Sequence, residues 1–388
     1  MTPASITPNW LHVAHDFAVN QEMIWLNSCG ISAMPTPVLL AVKEHLDGYS
    51  RKVIFGTKSD DDLRTAITGH LAPLIGAQPS EVAPIHHTTE GMTFVSMGLQ
   101  LAPGDRVVLM ANEYPSNVYP WQHLKTQGVE LATVADGPTP DDVVASAQAM
   151  LNDRARVLSV SAVHWCTGMP LPLAALGKLC AERKVMFVVD GAQGVGHVPI
   201  DVAQCNIAAM AFSAWKWLMG PIGLGALYVR QDFLSVLKFP FKGTGSVVND
   251  HVYFPYRDDV KEGAARYVVS TPSFTDWAHF EASLTYLSKL GFVGVQKRIH
   301  ALATHLAARL RAHGFELASD AFPHHPTAII AARMPGKDMT ALVAALGNEK
   351  IMAVERLGWL RMAPHIHLNE DQLDKVADAA ARLARQEG

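Results

Sequence analysis

An α/β fold, with a large sheet-bearing domain and a smaller α+β C-terminal domain, is predicted by three observations. Two runs rich in β-branched residues and phenylalanine, V-M-F-V-V-D and A-A-M-A-F-S, lie between Gly- and Pro-bounded turns and read as buried strands of one sheet. A strand-then-helix pattern also follows P-G-D-R-V-V-L-M-A. The chain is 388 residues long and 49% hydrophobic, enough for one large and one smaller core.

Taken in order, P-N-W-L-H-V-A-H-D-F predicts a helix or arm within residues 1 to about 20. I-W-L-N-S-C-G-I-S-A-M-P-T-P reads as a short strand and a Gly/Pro turn, with a helix from about Pro37 to Tyr49. An amphipathic helix at Asp60–Leu74 precedes a strand at Val82–His86. In H-H-T-T-E-G-M, Thr88 or Thr89 suits the N-cap of the next helix, with Glu90 in its first turn. Free N–H groups and a threonine hydroxyl at such a terminus make an anion site. Strands follow at Arg106–Met110, Gly128–Val134 and Arg156–Val163, with helices at Pro140–Leu151 and Leu173–Arg183.

The strand ending on Asp190 comes next, then a short helical spacer, then the strand leading to Lys216 and the turn G-P-I-G-L-G. A helix to about Leu237 and two long ones, at Asp276–Leu290 and Gly294–Ala312, lead into the C-terminal part. There the strands are expected at Thr327–Arg333, Ile351–Glu355 and Trp359–Met362, with helices at Met339–Leu346 and Glu370–Arg385. The expected division puts residues 20–255 in the large domain and 1–19 with 256–388 in the small one.

Asp190 and Lys216 close neighbouring buried strands, and open α/β sheets bind ligands beyond the carboxyl ends of their strands. An acid and a lone lysine there suit pyridoxal phosphate. The lysine amine forms an imine with the aldehyde, and the carboxylate pairs with the ring nitrogen so that the ring withdraws electrons. Gln193 is placed to donate to the ring's phenolic oxygen and Ser213 to the phosphate, while Trp215 flanks the lysine on the cofactor side.

D-G-A-Q followed by S-x-x-K and G-P-x-G-x-G resembles the class V aminotransferase branch of the fold type I enzymes, which holds cysteine desulfurases, selenocysteine lyases and isopenicillin N epimerase. The resemblance implies a mainly parallel seven-stranded sheet and pyridoxal 5'-phosphate as cofactor. It implies that Thr88 and Thr89 cup the cofactor phosphate. Tyr114 stands where the desulfurases commonly stack a histidine on the ring, and its flat face serves the same purpose. Asn27 matches an asparagine near the substrate. Trp165 replaces an asparagine that approaches the substrate carboxylate, implying a more aromatic pocket. Arg361 in L-R-M-A-P-H matches the arginine that grips the carboxylate with its bidentate fork, and Arg356 is the fallback. Asn117 and Trp121 are expected on the substrate side. Thr271 in S-T-P matches a threonine that reaches the partner subunit's cofactor, implying a homodimer with shared active sites.

A net charge of −4 with both signs interspersed argues against nucleic acid or an anionic membrane as partner. The N-terminus lacks a charged region followed by an apolar one, and no window reaches eighteen apolar residues, so a cytoplasmic enzyme is expected. The four cysteines show no C-x-x-C spacing and read as reduced thiols. His86–His87 and His324–His325 lack the spacing and partners of a zinc site, so no metal is expected.

For a small-molecule amino-acid substrate, a β-elimination lyase of the selenocysteine lyase type and an aminotransferase stand nearly level. An epimerase of the isopenicillin N type, or a non-catalytic phosphate-ligand-binding α/β protein, are the alternatives. The family's sulfur-accepting cysteine lies downstream of the lysine. The last cysteine here, Cys205, precedes Lys216, so a persulfide-forming desulfurase is not expected.

Overall fold

A computed structural model of the chain describes residues 8–135, 137, 139–239 and 241–386, so the first seven residues of the expected arm lie outside it. The strands are β1 (Ile24–Trp25), β2 (Val82–Ile85), β3 (Arg106–Met110), β4 (Glu130–Val134), β5 (Ala155–Ser161), β6 (Met186–Asp190), β7 (Ala209–Ser213), β8 (Gly225–Val229), β9 (Glu316–Leu317), β10 (Ile330–Arg333), β11 (Ile351–Met352), β12 (Val354–Arg356) and β13 (Trp359–Met362). Seven of them form the main sheet in the order β2-β8-β7-β6-β5-β3-β4. Its neighbours pair in parallel from β7 across to β4, and only β8 runs antiparallel to the strands on either side of it.

Successive side chains on a strand point to opposite faces, and both faces of this sheet are covered. Phe187 and Val189 on β6 and Met210 and Phe212 on β7 join one apolar cluster. Val188, Ala209 and Ala211 join the other. The alanines matter for the site. They let the helix Thr88–Gly98 lie close on β7, so close that a Cβ on Gly91 would stand 2.6 Å from the Cβ of Ala211. That contact fixes where the N-terminus of this helix, with Thr88 and Thr89, meets the strand ends.

The C-terminal strands make a second, antiparallel sheet in the order β12-β13-β10-β9. β1 pairs in parallel with β11, and Asn27 bridges Ala363 just beyond β13. The segment after β1 is thereby carried to the C-terminal strands, far along the chain.

Three local expectations are corrected. The spacer between β6 and β7 consists of turns, not a helix, in keeping with Gly194, Gly196 and Pro199 at its start. The helix expected after Arg230 is a single 3₁₀ turn, Phe233–Ser235. Ile351–Glu355 is two strands, not one: β11 pairs with β1, and β12 turns away to pair with β13. Among the described residues no helix is long and apolar enough to cross a membrane.

The helix Leu173–Arg183 packs on the turn before β7 through Gly177, where an added Cβ would fall 1.8 Å from the carbonyl oxygen of Cys205. Gly177→Ala should therefore destabilise the protein by about 1–3 kcal/mol through overpacking, despite alanine's better helix propensity. A lowered urea midpoint for unfolding checks this, and an unchanged or raised midpoint contradicts it.

Candidate active site

A cavity of about 450 Å³ opens where β6 and β7 end. It is lined by Asn27, Thr88, Thr89, Tyr114, Trp165, Asp190, Gln193, Ser213, Trp215, Lys216, Arg356 and Arg361, so of the site residues expected from the sequence Thr271, Asn117 and Trp121 are left out. Thr271 borders a different cavity of about 490 Å³, with Arg64, Lys261 and Ser270. Five residues that the sequence reading missed, Cys29, Gly30, His87, Ser116 and Ala192, also line the first cavity.

Asp190 is the last residue of β6 and is buried, with Oδ1 accepting a 2.9 Å hydrogen bond from the Ala192 amide. Burial pushes its carboxyl above the usual carboxylate range, and Lys216 and the amide oppose that rise. Burial also pushes the Lys216 amine below its ordinary value, against the opposing effect of Asp190. Its Nζ lies 5.5 Å from the centroid of the Tyr114 ring. A lysine easily freed of its proton therefore shares a cavity with a carboxylate whose charge calls for a cationic partner.

Gln193 is locked from both ends. Its Nε2 donates to the Cys29 carbonyl at 2.8 Å, and its Oε1 accepts from Trp217 Nε1 at 3.1 Å. Trp217, the residue after Lys216, is stacked against His197 at 4.0 Å between ring centroids and against His365 at 5.9 Å. Burial holds His197 well below its usual pKa and His365 down at about 3, so both imidazoles stack uncharged.

The Thr88–Gly98 helix is capped by His87, whose Nδ1 accepts from the Glu90 amide at 3.0 Å, and not by Thr88 or Thr89 as expected. His87 has the extended backbone that an N-cap needs, and this leaves both threonines in the first turn. Thr89 Oγ1 donates to Ser116 Oγ at 2.9 Å. His86, the other half of the histidine pair, contacts the Glu90 carboxylate at 2.9 Å.

Arg361 lies on β13 and is only 5% exposed. Its Nη1 donates to the Trp165 carbonyl at 2.7 Å, and its Nη2 lies 3.5 Å from Asn27 Oδ1. Trp165 is held by Nε1 donating to the Asn112 carbonyl at 2.8 Å, and meets Tyr114 edge to face at 5.8 Å. Arg356 borders the cavity from β12 but is exposed, with Nη1 turned to the neighbouring Glu355 carbonyl. Asn117 and Trp121, expected on the substrate side, are instead buried together behind it, with Trp121 Nε1 donating to Asn117 Oδ1 at 3.3 Å.

Two buried polar atoms of this lining, Ser213 Oγ and Arg361 Nε, have no hydrogen-bond partner. Buried donors rarely stay unpaired, so both call for an acceptor-rich ligand. Orphaned donors, a helix N-terminus, a lysine and a buried carboxylate fit a phosphate-bearing aldehyde cofactor and an anionic substrate.

The aminotransferase class-V family model matches residues 24–358. The chain belongs to the aminotransferase class-V family. A probable cysteine desulfurase of Pyrococcus abyssi is 29% identical, over 74% of this chain and 72% of its own length. Isopenicillin N epimerase of Amycolatopsis lactamdurans is 26% identical, over 97% and 99%. A solved C-DES mutant with glycine covalently linked to its PLP cofactor superposes with a TM-score of 0.87 at 21% identity, over 95% of this chain and 98% of that one. This class V chain therefore has the fold type I architecture, is a PLP-dependent enzyme, and takes pyridoxal 5'-phosphate as cofactor.

The exclusion of a desulfurase does not stand. Relatives of the chain carry that name, and a cysteine is among the residues lining the cavity: Cys29, from upstream of Lys216 and not from the downstream segment where one was sought. Its proximity in sequence to Asn27 was the one signal available.

Glu113 was also missed. It follows β3, is half-buried, and accepts from the Ser161 amide at 2.6 Å and from Ser161 Oγ at 2.5 Å. Ser161 in turn pairs in register with Asp190. Burial, with Asp190 adding to it, pushes the Glu113 carboxyl up to about 7 from 4.5. The folded chain thus keeps a proton that the unfolded chain releases above about pH 4.5. Stability from this group is full below that pH and is lost as the pH rises to about 7. Glu113→Gln removes the titration, so the stability of the native protein relative to the variant should fall between pH 5 and pH 8. Urea midpoints of both proteins at the two pH values test this, and a constant difference rules it out.

Proposed function

We propose that this class V enzyme transforms an α-amino acid whose carboxylate is held by Arg361 and whose amine is presented beside Lys216. The observation that carries the reading is a single cavity in which buried Asp190, Lys216 and Arg361 stand together with unpaired donors. Pyridoxal 5'-phosphate, when bound, supplies the electron sink for charge developing at the substrate Cα.

The protein's own groups do the rest. Lys216 Nζ would hold the cofactor and, when free, would take the proton from the substrate Cα. Burial lowers its pKa, which favours the uncharged amine that a base needs. Asp190 would hold the ring nitrogen of the cofactor in its protonated form, and a cation there would offset the cost of burying this carboxylate. The remaining N–H of Gln193 would serve the cofactor's phenolic oxygen, and Ser213, with Thr88 and Thr89 at the positive end of their helix, would hold its phosphate. Tyr114 would cover the ring and, with Trp165 and Trp215, would keep water from the reacting carbon. Asn27 orients Arg361, and Arg356 serves as the outer arginine.

Proton removal at Cα opens both β-elimination and transamination, the two reactions that best match the residues. Epimerisation is the second reading, favoured by a relative of that name that matches 97% of the chain.

We further read the chain as a homodimer, with Thr271 reaching a second subunit's site. The exposed apolar side chains Leu40, Ile54 and Phe55, the last 89% exposed, support a second copy as partner.

Lys216→Ala should abolish both the visible absorbance of the bound cofactor and its borohydride-fixable bond to the chain. Arg361→Gln should keep that absorbance but raise KM for amino acids by about 30-fold or more, the cost of a lost buried charge partner. Products from a panel of amino acids separate the reactions: keto acid with ammonia means elimination, and keto acid only with an added acceptor means transamination. A wild-type spectrum unaffected by Lys216→Ala would sink the reading.

A further inference from the structure

We propose that Cys29 is a second proton-transfer group of this cavity, acting across the substrate Cα from Lys216 and so giving the enzyme an amino-acid epimerase activity. The proposal rests on the reading that Arg361 and Lys216 bracket an amino acid.

Cys29 is 1% exposed, yet it lines the cavity. Its backbone carbonyl is pinned by Gln193, and its Sγ lies 3.7 Å from Asn27 Oδ1. The same oxygen is 3.5 Å from Arg361 Nη2, so the thiol stands one side chain away from the guanidinium. Arg361 is also close enough for its charge to act on the thiol, as is Lys216. The unpaired Nε of Arg361, itself buried, independently points to an anion in this space.

The two protonic groups come from different walls. Lys216 follows β7 of the main sheet. Cys29 follows β1, which is bound to β11, and its neighbour Asn27 bridges Ala363 of the C-terminal part. An amino acid reaching from Arg361 to Lys216 would pass both groups, with Lys216 assigned to one face of its Cα and Cys29 to the other.

The proton count closes without a co-reactant. Lys216 Nζ would take the Cα proton, and the bound cofactor would supply the sink for the electron pair left behind. The Cys29 S–H bond breaks as a new Cα–H bond forms on the opposite face, inverting the centre. The thiolate then regains a proton and Lys216 gives one up through solvent, so nothing is oxidised or reduced. Burial keeps the resting thiol protonated, as a donor must be, while Arg361 and Lys216 steady the thiolate that follows.

The test uses the holoenzyme in D₂O with the proteinogenic L-amino acids as probes, read by chiral chromatography and mass spectrometry. Wild type should yield D-amino acid carrying deuterium at Cα. In Cys29→Ala, and nearly as much in Cys29→Ser, the ratio of D-form made to deuterium entering the L-form should fall at least ~100-fold, the usual weight of a general acid. A cofactor absorbance equal to wild type shows that each variant is folded and loaded.

A separate readout needs no turnover. Iodoacetamide should alkylate Cys29 in the cofactor-free chain, and pyridoxal 5'-phosphate fixed to Lys216 with borohydride should slow that labelling at least tenfold. A wild-type ratio in Cys29→Ala, labelling indifferent to the fixed cofactor, or deuterium entering only the L-form of wild type would each overturn the proposal while leaving the amino-acid reading intact. No α-deuterium from any probe in wild type would take down both.

Discussion

Two ionisable side chains at the ends of adjacent strands, Asp190 buried and Lys216 half-buried, set the terms for the rest of this molecule. Asp190 and Lys216 are each driven toward the uncharged form by burial, and each is the main electrostatic brake on the other. Such a pair is costly unless its remaining hydrogen-bonding capacity is met. The Ala192 amide meets part of it for Asp190, and a cationic pyridine ring would meet more. The surroundings hold that opening in shape. Alanines on β7 admit the capped helix, and Gly91 lets it settle against them. Uncharged imidazoles clasp Trp217 beside the lysine.

The cavity is a composite of distant segments. Its floor belongs to the main sheet, whereas one wall is made by the residues after β1 together with β12 and β13. The wall is held by ordinary means: two-residue pairing of β1 with β11, the Asn27–Ala363 bridge, and the Gln193 carboxamide tying Cys29 back to the sheet side. Specificity should therefore depend on how these parts are seated on one another as much as on any single side chain. Trp165 illustrates this. Its ring meets Tyr114 from the sheet while its carbonyl accepts from Arg361 of the C-terminal strands. An aromatic residue at that position binds the two parts where a smaller amide would not.

Much of this was legible in the chain itself. Asp190, Gln193, Ser213 and Lys216 lie in one strand–turn–strand block, and local order in sequence becomes local order in space there. Errors gathered where sequence neighbours did not decide the outcome. The N-cap went to His87 because an imidazole nitrogen can accept a hydrogen bond as a threonine oxygen does, and the backbone turned there. Asn117 and Trp121 satisfied one another in the core, which a loop position does not reveal. Glu113 and Cys29 were passed over because what gives them meaning, Ser161 and Asp190 for one and Arg361 and Lys216 for the other, lies 48 residues away or farther.

The amino-acid order alone pointed to the fold class, to pyridoxal 5'-phosphate and to Asp190 and Lys216 as its holders, through short-range patterns of burial, turns and spacing and the family resemblance they carry. Only the tertiary structure decided which arginine is buried against the cavity, which thiol enters it, and that Thr271 stays outside it. Those outcomes depend on long-range strand pairing and side-chain burial. No local stretch carries that information, because the same residues in another register would face elsewhere.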